Sequence, residues 1–192
     1  MKQKEMRDMI RMVVTLFAIA LICSAILGVV NAVTRDRIAE IKAEAQAAAM
    51  REVLPDGKTF TDCTDRLSAE FRAENDIQIL YEATTASGEV AGYAVMTSPR
   101  GFKGAIEMIV GVSADRTVAG VVITASSETA GLGTKAQDPA FLANYIGKSG
   151  SLSVVKGTAG ENEISAITGA TVTTRAVTAG VQSALRAVNE VS

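Results

Sequence analysis

The chain has 192 residues, with 19 Lys and Arg against 21 Asp and Glu, two cysteines and no histidine. Without histidine there is no Ser-His-Asp triad, no His-ligated zinc and no His-ligated haem, and two thiols fall short of an all-cysteine zinc or iron-sulfur ligand set. A net charge of -2 and the lack of a Lys/Arg stripe exclude the concentrated basic surface that nucleic acid requires, so any chemistry rests on hydroxyls, carboxylates, backbone amides or a bound organic group.

Residues 1–11 carry Lys2, Lys4, Arg7 and Arg11, and residues 12–33 follow without a charge. As a helix at about 1.5 Å per residue that stretch reaches about 33 Å, enough to cross a bilayer. It is longer than the apolar core of about 7 to 15 residues in a cleaved signal peptide, which favours a retained transmembrane anchor. A lipoprotein signal is excluded because Ile22, not a small residue, precedes Cys23. The basic N-terminal flank predicts a single-pass protein of the cell inner (cytoplasmic) membrane, with a cytoplasmic N-terminus and an extracytoplasmic C-terminal domain. Cys23 then lies in the span and Cys63 beyond it, so the two cannot form an intramolecular disulfide, and Cys63 reads as a small buried residue.

Residues 34–57 are rich in Ala, Glu, Lys and Arg, with Ile38, Ile41 and Ala45 at helical spacing, and read as a helical stalk ended by Pro55-Asp56-Gly57. Of 16 glycines, 15 lie beyond residue 56, which marks residues 58–192 as a compact domain of strands and turns. Strands are predicted at 77–84 and 89–97 around Ser87-Gly88, and at 105–112 and 117–124 around Ala114-Asp115-Arg116; both pairs read as hairpins. A short helix over 138–146 opens with Asp-Pro. A final helix over 173–189 places Val177, Val181, Leu185 and Val188 on one face. The fold class is α+β: a hairpin-rich mixed sheet flanked by helices.

Two segments could carry chemistry. The first, residues 126–135, combines Glu128, Thr129, Gly131, Leu132 and Gly133 with further hydroxyls after a predicted strand. Such a loop is either a turn or a cradle that aims backbone amides at an anion or admits a flat ring. It lacks Walker A spacing, so nucleotide hydrolysis has no support. The second, residues 165–174, holds Thr168, Gly169, Ala170, Thr171, Thr173 and Thr174 just before the last helix. Its threonines either cap that helix or accompany a phosphate at its N-terminus.

Thr168-Gly169-Ala170-Thr171 with Thr173 resembles the S/T-G-A-T-x-T/S flavinylation motif of the extracytoplasmic FMN-binding domain family. Glu128-Thr129-Ala130-Gly131-Leu132-Gly133 resembles its E-T-P-G-L-G segment, and Gly101-Phe102-Lys103-Gly104-Ala105-Ile106 its glycine-rich approach to a strand. Two positions depart: Ser165 stands where the family usually has Asp, and Ala130 where it usually has Pro. The family includes the G subunit of the Rnf ion-translocating ferredoxin:NAD oxidoreductase and the C subunit of the sodium-translocating NADH:quinone reductase, and the length of this chain is more similar to the former.

The resemblance implies that FMN is held covalently through its phosphate on Thr171, attached by a separate flavin transferase that uses FAD. It further implies contacts from Thr168, Gly169, Ala170, Thr173, Glu128, Thr129, Gly131, Leu132 and Gly133, with no metal. The expected role is electron relay among the membrane subunits of an ion-pumping complex, the chain alone catalysing no complete reaction. The contrasting reading is a membrane-tethered scaffold or sensor, in which the threonines only cap a helix and FMN binds reversibly or not at all. No carboxylate pair or base-paired nucleophile supports a hydrolase.

Overall fold

A computed structural model describes the backbone of residues 2–191 and the side chains of residues 6–191. Helix α1, Lys2–Val53, is long and apolar enough to cross a membrane, and the side chains of its apolar stretch are exposed, Phe17 by 68%. The hydroxyls of Thr15 and Thr34 donate to the carbonyls of Arg11 and Val30, at 2.8 and 2.7 Å, so neither needs a partner from outside the helix.

The chain divides into two compact units, residues 1–44 and 45–192. The second unit therefore begins inside the segment that composition assigns to the stalk. Its reason is local: Ala49, Val53 and Leu54 at the end of α1 are buried. Gly57 N donating to Leu54 O closes the turn that ends the helix.

The unit is built on a sheet of five strands in the order β1 (Thr59–Asp62), β2 (Ile77–Thr84), β3 (Val90–Thr97), β4 (Ile106–Ser113) and β5 (Val118–Ser126). Both expected hairpins form, with strand limits within two residues of those read from the sequence. Gly88, at φ +86°, makes the first turn. Asp115 makes the second by accepting from Ser113 Oγ, Thr117 N and Thr117 Oγ1, bonds that hold its carboxyl below the ordinary carboxylate range. The sheet is antiparallel throughout rather than mixed; the parallel pairing sits apart, between β6 (Ser153–Val155) and β7 (Glu163–Ser165). Between β1 and β2 lies a short helix, α2 (Ala69–Glu74), capped by Ser68.

Alternation along β4 assigns the two faces of the sheet. Met108, Val110 and Val112 join Leu80 and Val95 under Val177, Val181, Leu185 and Val188 of helix α4 (Thr171–Val191). Ile109 faces the other way, with Ala83, Ala94 and Met96, onto Ala49, Val53 and Leu54. Both faces of β4 are covered, which explains its unbroken apolar run. Gly111 and Gly120 are cross-strand partners, and together they leave the seat for Val53: a Cβ on Gly120 would lie 2.9 Å from Val53 Cα, and one on Gly111 would run into the Val53 carbonyl.

The helix expected over 138–146 is split into α3 (Pro139–Leu142), capped by Asp138, and a turn of 3-10 helix over Ala143–Tyr145. Helix α4 opens two residues before its expected start, at Thr171. That shift sets the geometry of the site.

Candidate functional site

The chain enters α4 through a turn in which Ala170 N donates to Ile167 O at 2.9 Å and Gly169 takes φ +80°, the left-handed region that favours glycine. Space there is also short, because a Cβ on Gly169 would lie 3.1 Å from Leu132 Cδ2. Thr174 N donates to Ala170 O at 2.9 Å, the first such bond of the helix. Among the described residues, the amides of Thr171, Val172 and Thr173 have no acceptor. Free amides at the positive end of a 21-residue helix make a ready anion site.

The threonines differ sharply in what their hydroxyls do. Thr173 Oγ1 donates to Glu128 Oε2 at 2.6 Å, Thr174 Oγ1 to Ala170 O at 3.0 Å, and Thr178 Oγ1 to Thr174 O at 2.9 Å. Among the described residues the half-buried Thr171 hydroxyl has no partner, and no threonine hydroxyl accepts from a first-turn amide of α4. Helix capping therefore does not account for the cluster.

Facing α4 is the loop after β5. Gly131, at φ +75°, donates its amide to Thr134 Oγ1, while Leu132 N and Thr134 N both donate to Thr129 O, which winds the loop tightly. Glu128 is 8% exposed, and its Oε1 accepts from Lys103 N at 2.9 Å. Burial pushes its carboxyl up, but the Thr173 hydroxyl, the Lys103 and Phe102 amides and the Lys103 charge more than offset that and hold it below the usual range.

Loop and helix enclose a cleft of about 390 Å3 lined by Phe102, Glu128, Thr129, Leu132, Gly133 and the run Gly169, Ala170, Thr171, Val172, Thr173. Its size is that of a small-molecule site. Eight of the ten residues singled out by sequence line it. Thr168 instead lies exposed on the turn before α4, and Gly131 shapes the loop from outside the cleft. Phe102 and Val172 line it without having been named among the expected contacts; they are 68% and 50% exposed, and with Leu132 they form an apolar collar. A lone phenylalanine in a loop between Gly101 and Gly104 was the signal for the first. Ser165, at the end of β7, donates its hydroxyl to Gly157 O at 2.7 Å, and Ala130 is exposed. A second hollow of about 290 Å3, bounded by the end of α1, β5 and α3, is mostly apolar and gathers no comparable set of polar groups.

Free amides and an unengaged hydroxyl suit a phosphate, and the collar suits a flat apolar ring, so the residues fit FMN. Residues 101–186 match the FMN-binding domain family, and residues 1–53 match the RnfG N-terminal region. The chain is 36% identical over 187 residues to the G subunit of the Na(+)-translocating ferredoxin:NAD(+) oxidoreductase complex of Acetobacterium woodii, covering 92% of this chain and 90% of that one. It is 29% identical over 182 residues to the G subunit of the ion-translocating oxidoreductase complex of Methanosarcina acetivorans, covering 93% and 94%. The crystal structure of the C subunit of the Na(+)-translocating NADH-quinone reductase from Parabacteroides distasonis shares the fold, with a TM-score of 0.54 and 20% identity over 70% of this chain and 77% of that one. With an FMN-binding domain behind an apolar N-terminal helix, and likeness along nearly its whole length, the chain belongs to the RnfG family, the G subunits of ion-translocating oxidoreductase complexes.

Proposed function

We propose that this chain is a membrane-anchored electron carrier of an ion-translocating redox complex, holding FMN by a phosphoester to Thr171. The observation that carries this reading is the state of Thr171: its hydroxyl is unengaged, and the residue lines the cleft at the helix end that carries three free amides. In maturation by a flavin transferase, Thr171 Oγ attacks the FMN phosphorus of FAD; the phosphoanhydride bond breaks, AMP leaves and the hydroxyl proton is released. FMN, when bound, would supply the electron-transfer chemistry.

The chain's own residues hold, orient and shield. The amides of Thr171, Val172 and Thr173 offset phosphate charge, Gly169 brings the backbone close, and Phe102, Leu132 and Val172 give the ring an apolar surface. Helix α1 tethers the domain to the bilayer of the inner membrane with its N-terminus in the cytoplasm, and the other membrane subunits of the complex are its partners. The test is intact mass with peptide mapping after co-expression with the transferase. An FMN-sized adduct on the Thr171 peptide is expected, and an unmodified chain beside an active transferase would overturn the proposal.

A further inference from the structure

We propose that Glu128 is the positioning residue of the cleft: its buried carboxylate ties residues 101–104, residues 128–133 and the opening turn of α4 together, and keeps a fixed negative charge beside the group that Thr171 carries. The second half rests on the FMN reading.

The geometry is that of a tie. Oε1 accepts from Lys103 N, 25 residues away in sequence, and Oε2 from Thr173 Oγ1, 45 residues away, at 2.9 and 2.6 Å. Two glycines make room for it. A Cβ on Gly101 would sit 2.5 Å from Oε1, and one on Gly133 would sit 2.7 Å from both Oε2 and Glu128 Cβ. Each oxygen thus has a donor, and both neighbouring backbones are pared to the minimum so that the carboxylate fits between them. The charge survives burial because the donors favour the ionised form. Those donors are neutral; the Lys103 charge acts on Glu128 from a distance, but among the described residues no Lys or Arg forms an ion pair with it. The charge is therefore hydrogen-bonded and only partly offset. A negative charge fixed at the cleft opposes the arrival of electrons and so lowers the reduction potential of what is held there.

Three variants of the full chain in detergent separate the two halves. Glu128→Gln keeps the shape: its amide oxygen accepts from Lys103 N and its amide nitrogen donates to the Thr173 oxygen, so only the charge is lost. In the fraction that loads FMN, the midpoint potential should shift to a more positive value than in the parent. Glu128→Ala cuts the tie, and a lost charge-assisted bond corresponds to about tenfold or more in an equilibrium. In that variant the amides of Thr174 and Thr134, which do not touch Glu128, should exchange with solvent at least about tenfold faster, and flavin loading should fall.

Thr173→Val, which removes one donor at nearly constant volume, gives the same reading should Glu128→Ala not fold. Faster exchange confined to the Lys103 amide overturns the positioning half. An unchanged or more negative potential in loaded Glu128→Gln overturns the charge half. Exchange is measured without flavin, so a parent chain that takes no adduct refutes the Thr171 reading, and the charge half with it, while the exchange data still decide the positioning half.

Discussion

Replacing Gly111 by alanine tests how the end of the anchor helix is seated on the sheet. A glycine inside a strand is normally a weakness, and alanine there stabilises by about 0.5–1 kcal/mol when nothing stands in its way. Gly111 has no positive φ that would oppose the change. What stands in the way is Val53: the new Cβ would run into its carbonyl and lie 2.8 Å from its Cβ. Strand β4 is held by β3 and β5, with Gly111 paired to Ala94 and Gly120, so the sheet cannot yield and the helix end must lift. Overpacking of this kind costs about 1–3 kcal/mol, and full exposure of Val53 or Leu54, now 1% and 3% exposed, would cost about 1.5–3 kcal/mol each. The net expectation is a loss of about 2 kcal/mol, opposite in sign to the usual effect of the substitution.

The assay is urea unfolding of the full chain in detergent, read by tyrosine fluorescence. The chain has no tryptophan, and its three tyrosines, Tyr81, Tyr93 and Tyr145, all lie in the compact unit, so the membrane helix is silent. Gly120→Ala should act in the same direction. The double variant should cost less than the sum, because the helix end lifts only once. A midpoint equal to or above that of the parent for Gly111→Ala would refute the seating.

Thr171→Ala should abolish the covalent adduct while moving the unfolding free energy by no more than about 0.5 kcal/mol, since its hydroxyl has no partner to lose; intact mass and urea unfolding read the two effects. Gly169→Ala forces a left-handed alanine at φ +80° against Leu132, so a stability loss of about 1–2 kcal/mol and slower loading are expected in the same pair of assays. Because the Glu128 carboxyl is held below its ordinary value of 4.5, the stability it contributes is complete above that pH and is lost as the pH falls through the folded-state value. The gap in urea midpoint between parent and Glu128→Gln should accordingly narrow in acid and reach its plateau above pH 4.5. Tyr145→Phe removes a buried 2.8 Å bond to Thr178 and should cost about 1 kcal/mol by the same unfolding assay.

Much of the architecture was legible because period and punctuation agreed. Strand β2 shows apolar residues against a two-residue period and ends in a Ser-Gly turn, and the valines of α4 mark one helical face over several turns. Elements too short to establish a period escaped, such as the four-residue β1 and six-residue α2. The burial of Ala49 and Val53 escaped for another reason. Alanine-rich helix reads alike whether solvated or packed, and what buries it is a glycine pair far away on two strands, each unremarkable alone. At the site, the residue types around Glu128 and Thr171 were readable from their motifs, but the first turn of α4 was not, because Thr and Val are weak helix formers and a Gly-Ala pair precedes them. Nor does sequence distinguish a carboxylate facing a ligand from one turned inward. Glu128 spends both oxygens on its own chain, and only the spatial meeting of residues 103, 128 and 173 reveals that.

That inward turn bears on why Thr171 is the hydroxyl left free. A threonine in a helix ordinarily donates to the carbonyl four residues back, as Thr174 does to Ala170 and Thr178 to Thr174. For Thr173 that carbonyl belongs to Gly169, outside the helix, and the hydroxyl donates to Glu128 Oε2 instead. For Thr171 it belongs to Ile167, which lies outside the helix in the turn that Gly169 makes possible and accepts there from Ala170 N, and no bond from the Thr171 hydroxyl reaches it. Helix register and the Glu128 tie thus engage the neighbouring hydroxyls. They leave an uncommitted hydroxyl in the first turn of α4, beside the helix amides best placed to offset the charge of a phosphate. Among the described residues no side chain hydrogen-bonds the Thr171 hydroxyl, so none is placed to act as its base. On the proposed reading, such an acceptor stays inert until a separate enzyme supplies the base, which suits a one-time modification more than a catalytic hydroxyl.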